Sequence, residues 1–162
     1  MAEDTSPRNI VIKAEPAVVN ITPYGFWHYG KEFLAVVQDT SPPPPYSPVP
    51  YYLTGRSIEL ALKAFLLMKG FSKKDVKNNF GHDLEKLLER AESEGLGGVV
   101  TLTPEHKTAI IVANDYYCSK GFEYFEVLKG VKGYPGLPDL KVLHGAASVL
   151  VDALEKPCLD AA

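Results

Sequence analysis

The sequence predicts an all-α protein, an up-and-down bundle of four to five helices gathered around one central helix. Three observations carry this reading. Residues 51 to 69 are apolar almost all the way round a helical wheel, two Thr-Pro pairs stand directly before further stretches of helical period, and glycine or proline punctuates the intervals. With 162 residues, 46% hydrophobic and 23% charged, the chain has the size and apolar content of one ordinary domain.

Residues 1 to 21 are polar or β-branched without a sustained period and predict an extended N-terminal arm. Thr22-Pro23 marks a helix start, since threonine caps free N–H groups and proline lacks the N–H that would need a partner. Phe26, Phe33, Leu34 and Val37 follow at helical spacing, with Gly30 on their face, giving a first helix over about 23 to 38. Interior glycine weakens a helix by about 1 kcal/mol relative to alanine, so Gly25 and Gly30 imply dependence on packing or the close approach of another backbone. Residues 41 to 50 hold six prolines, which supply no backbone donor, and predict a stiff connector ending with Pro50 at the first position of the next helix.

Tyr51 to Lys69 is the central helix. Arg56, Glu59 and Lys63 form one narrow polar stripe on it, joined by Tyr52, and nearly every other residue is apolar. Gly70 ends it in the left-handed conformation that lacks a Cβ penalty for glycine. The basic stretch Lys69, Lys73, Lys74 and Lys77 reads as a solvated loop. A short amphipathic helix follows over 81 to 91, with Leu84, Leu87, Leu88 and Ala91 on its apolar face. Thr103-Pro104 starts a fourth helix running to about Cys118, with Ala109, Ile110, Ala113 and Tyr117 inward. An ordered loop is expected over 119 to 138, and Asp139 then caps a last helix from about 140 to 154. The domain so defined covers 22 to 156.

A formal net charge of −3 excludes a globally basic surface that binds nucleic acid by counterion release. No apolar run reaches the roughly 18 residues of a membrane span, and Met1 to Arg8 lack the layout of a secretory signal, so a cytoplasmic protein without membrane contact is expected. Cys118 and Cys158 lack metal-ligand spacing and are expected to be free thiols. His28, His106 and His144 share no ligand spacing either, so neither a metal nor a cofactor is predicted. Ser57 and Ser119 have no readable base partner.

The candidate binding residues are Arg56, Glu59, Lys63, His82 and Asp83. Glu59 and Lys63 lie i to i+4 in the favourable order, Arg56 lies one turn back, and His82 at the start of the third helix is placed to hydrogen-bond Glu59. Asn114, Asp115, Tyr116 and Tyr117, ending the fourth helix, fall where they add to the group. Such a set forms either a phosphate- or nucleotide-facing pocket with His82 as proton-transfer group, or a polar clamp between the second and third helices.

The run Tyr-Leu-Thr-Gly-Arg-Ser-Ile-Glu-Leu-Ala-Leu-Lys-Ala-Phe-Leu-Leu-Met-Lys-Gly within 51 to 70, followed by Gly-His-Asp-Leu-Glu-Lys-Leu-Leu at 81 to 88, resembles a HEPN domain. The resemblance implies a helical bundle that forms homodimers and pairs with a nucleotidyltransferase, or acts as a ribonuclease, in toxin–antitoxin and defence systems. The ribonuclease branch is similar in carrying an arginine with a histidine some five to seven positions further on, and it cleaves RNA without metal across a dimer interface. Here the arginines are Arg8, Arg56 and Arg90, and none has a histidine within seven residues downstream. The nearest substitute is Lys77-Asn78 with His82, where lysine lacks the planar fork of arginine. The expectation is therefore a non-catalytic, HEPN-like binding and dimerisation module, its partner a nucleotidyltransferase or its ligand an RNA or nucleotide. The alternative is a metal-independent ribonuclease with a degenerate site at Lys77, Asn78 and His82.

Overall fold

In the computed structural model the described residues are 19–39, 47–123 and 134–161. The expected arm up to residue 18, most of the proline connector (40–46) and loop residues 124–133 lie outside them. Among the described residues there are six α-helices, one short 3-10 turn and no strand. Helix α1 spans Pro23–Asp39, α2 Pro48–Met68, α3 Lys73–Phe80, α4 Leu84–Ser93, α5 Pro104–Tyr117 and α6 Leu140–Asp160, with the 3-10 turn at Leu96–Gly98. None of these helices is long and apolar enough to cross a membrane.

Both Thr-Pro starts form as the side chains dictate. Thr22 Oγ1 accepts from the Gly25 N–H, and Thr103 Oγ1 accepts from the His106 N–H. Helix α2 begins earlier than expected, at Pro48 rather than Pro50, because Ser47 caps it and two prolines fit inside a first turn whose N–H groups have no helical partner. It ends as predicted, with Gly70 at φ 91°.

The basic stretch expected as a loop is instead helix α3. Ser72 accepts from the Asp75 N–H at 3.1 Å and donates to the Asp75 carboxylate at 2.5 Å, so Ser-Lys-Lys-Asp is a helix start of the capping-box kind. With α3 the helix number exceeds the four to five expected. The third expected helix starts later than residue 81, at Leu84, since Gly81 and His82 form a turn and Asp83 caps α4. The last helix, expected to stop near 154, continues through Pro157 to Asp160. Proline there removes one helical hydrogen bond, yet Cys158 lies one turn beyond Leu154 and both are fully buried, so packing holds the final turns in place.

Helix α2 is the hub. Every residue from Thr54 to Leu66 except Arg56 is buried, and α2 packs against each of the other five helices. Helix α1 can lie close because Gly30 faces it: a Cβ there would meet the Ser57 carbonyl oxygen at 3.1 Å. The buried stripe of α1 is Trp27, Gly30, Leu34 and Val37, while Phe26 and Phe33, expected inward, are only half-buried. Trp27 donates its indole N–H to the Val151 carbonyl at 2.8 Å, tying α1 to α6. On the opposite side of α1, Tyr29, Glu32, Phe33 and Val36 line a shallow groove, and Val36 is 51% exposed.

Candidate functional site

The polar stripe of α2 does not face bulk solvent. Glu59 is 0% exposed, which for a carboxylate demands partners on both oxygens. Four donors supply them. Arg56 Nη1 lies 2.9 Å and Lys63 Nζ 2.5 Å from Oε1, both from α2 itself. On Oε2 the Tyr117 hydroxyl donates at 2.5 Å from the end of α5, and His82 Nδ1 lies at 3.1 Å from the turn before α4. One side chain of the central helix thereby fixes two other segments.

Each partner has a local reason for its position. Tyr117 reaches Glu59 because residue 55 is glycine: a Cβ there would stand 2.7 Å from Cδ2 of the Tyr117 ring. Lys63 also donates to the Gly81 carbonyl at 2.6 Å, so its ammonium sits at the C-terminal end of α3, where exposed carbonyls favour a cation. Asn114 on α5 accepts the Leu84 N–H at 2.7 Å and donates to Asp83 at 3.1 Å, locking the start of α4 and with it the neighbouring His82.

Burial alone would raise the pKa of Glu59. The charges of Lys63 and Arg56, with hydrogen bonds from Lys63 and Tyr117, outweigh it and hold the carboxyl below its ordinary range. The same carboxylate acts oppositely on Tyr117, whose hydroxyl is driven well above the ordinary tyrosine value by burial first and then by Glu59. Tyr117 is therefore a fixed donor. Because Glu59 is ionised and accepts only, His82 must present Nδ1–H to it, which leaves Nε2 outside that contact on a side chain 49% exposed.

The predicted residues divide into two groups. Arg56, Glu59, Lys63 and His82 converge on one carboxylate, with Asp83 beside them as the α4 cap, salt-bridged to Lys86 at 3.0 Å. Burial would raise the Asp83 pKa, but hydrogen bonds from Lys86 and Asn114 and the Lys86 charge lower it. Lys77 and Asn78 do not join the cluster and stand exposed on α3. Asp115 is exposed, and Tyr116 turns its hydroxyl to the Pro135 carbonyl.

Sequence reasoning placed Tyr117 inward without identifying it as a donor, and it missed the seat at Gly55. The available signal was a glycine inside the strongest helix, which is costly unless another group needs the space. Ser57 Oγ is buried with no partner among the described residues, so no base among them activates it. Both cysteines are free, and burial raises the pKa of each, pushing Cys158 up to about 12. Neither is set up as a thiolate nucleophile. Among the described residues no three His, Cys, Asp or Glu side chains gather as metal ligands.

Compared with family models, characterised proteins and solved structures, the chain matches none.

Proposed function

We propose that the chain is a non-catalytic, HEPN-like binding and dimerisation module, the helical partner of a nucleotidyltransferase in a toxin–antitoxin or defence system. The observation that carries the non-catalytic reading is the saturation of Glu59. Its two oxygens accept four donors in the protein interior, an arrangement that joins α2, α5 and the turn before α4 and leaves the carboxylate no free lone pair for a substrate. The groove along α1 supports the dimerisation reading. Tyr29, Phe33 and Val36 expose apolar surface on one side of a helix whose other side is in the core, and such a patch is suited to the apolar centre of an interface with a second copy.

The test is light scattering at micromolar concentration on wild type and Phe33→Asp. A dimer mass that falls to the monomer mass in the variant, with helicity unchanged, is the expected result; a monomeric wild type removes dimerisation from the proposal.

One observation favours the ribonuclease alternative with Lys77, Asn78 and His82. A carboxylate that holds a half-exposed imidazole by Nδ1–H leaves Nε2 as a proton acceptor, an arrangement general bases use. The exposed positions of Lys77 and Asn78 weigh against it, since a transition-state cation must be held in place. Incubation with RNA in EDTA decides between the readings. Cleavage that both His82→Ala and Lys77→Ala abolish would establish the enzyme, and no cleavage is the expected outcome.

A further inference from the structure

We infer that Arg56 and His82 form the outer edge of a binding site for a phosphate monoester group, seated on the solvent side of the Glu59 cluster. The inference uses the geometry of that cluster and goes beyond its role as a clamp. Charge is the first argument. Two permanent cations, Arg56 and Lys63, face one carboxylate, so one positive charge has no acidic partner within the cluster. The neighbouring acid Asp83 is matched by Lys86. A phosphate monoester carries close to two negative charges near neutral pH, whereas a diester carries one, so the unpaired positive charge attracts a monoester more strongly.

Position is the second argument. Arg56 is the one residue between Thr54 and Leu66 on the central helix that is not buried, and its side chain is 29% exposed. Contacts to Glu59 Oε1 and to the Tyr117 hydroxyl hold the guanidinium, and its five N–H groups outnumber them, which leaves donors for an anion. His82 is held by the other oxygen of the same carboxylate, and its side chain is 49% exposed. Both side chains are therefore oriented before any ligand arrives, which lowers the ordering entropy that binding must overcome. Lys63 supplies charge from behind, turned to Glu59 and the Gly81 carbonyl, and does not reach outward.

The experiment follows the Arg56 side-chain and His82 ring signals by NMR at constant ionic strength, with four probes: inorganic phosphate, glycerol 3-phosphate, dimethyl phosphate and chloride. Saturable shifts with the first two, at a dissociation constant on the order of 1 mM, and none with the last two, are expected. Arg56→Gln should weaken binding at least about tenfold, as loss of a charge-assisted bidentate contact implies, and Arg56→Lys should restore only part of it. If Arg56→Gln fails to fold, Arg56→Lys and His82→Gln carry the test, each weakening binding several-fold. Shifts that follow chloride equally, or that survive these substitutions, overturn the site. Equal binding of dimethyl phosphate overturns the monoester assignment in favour of a diester surface. Because clamp strength is read by denaturation of Glu59→Gln without added anion, a failure of the clamp and a failure of the anion site give separate signatures.

Discussion

Two faces of the same helix show how differently burial can be satisfied. On one, Ile58, Leu62 and Phe65 are fully buried by apolar neighbours drawn from several helices. On the other, Glu59 is equally buried, yet it depends on four named donors. The apolar face gains from many small contacts, each of which can be partly lost while the surroundings relax. The polar face has no such tolerance, because removing one partner leaves a buried charge or donor uncompensated. The first face makes the fold stable and the second fixes which segments meet.

Substitutions on each face put this contrast to the test. Phe65→Ala should have the largest effect among them, about 3–5 kcal/mol in urea denaturation, from lost transfer energy and the remaining cavity. A loss below about 1 kcal/mol would move the core away from α2. On the polar face Tyr117→Phe keeps the ring on Gly55 and removes the hydroxyl that donates to Glu59 and meets Arg56, at an expected cost of about 1.5–3 kcal/mol for a hydrogen bond to a charged group. If the two substitutions prove equal, the polar contact is acting as more than one hydrogen bond. Lys77→Ala, exposed on α3, should leave the denaturation midpoint where it was, and a clear shift would tie that lysine to the cluster after all.

The fold was legible wherever one signal dominated. Helix α5 lies where Thr103-Pro104 and the spacing of Ala109, Ile110, Ala113 and Tyr117 placed it, because cap, proline and period agree. Helix α3 was hidden by composition. Lys73, Lys74 and Lys77 suggested solvent, which is where they are, but an exposed helix is also basic and polar, and its only buried residue is Val76. The extension of α6 through Pro157 was unreadable because the tertiary packing of Cys158 overrides a local breaker. Within the site, the stripe Arg56, Glu59 and Lys63 was visible from helical geometry, and His82 from its neighbouring position at a helix start. Tyr117 was not, since nothing in a sequence says that a tyrosine 58 residues away will donate to Glu59 until the helices are packed.

The ionised Glu59 carboxylate holds α2, α4 and α5 together, and the decisive measurement is equilibrium urea denaturation of wild type and Glu59→Gln at pH 7 and pH 3. A carboxyl whose folded pKa lies below its ordinary value near 4.5 contributes stability that is present above that value and is lost as pH falls through the folded one. Wild type should therefore exceed Glu59→Gln by about 3–5 kcal/mol at pH 7, with the gap narrower at pH 3, where the unfolded chain's carboxyl takes up a proton more readily than the folded one. A gap below about 1 kcal/mol at pH 7, or one of the same size at both pH values, would contradict the claim.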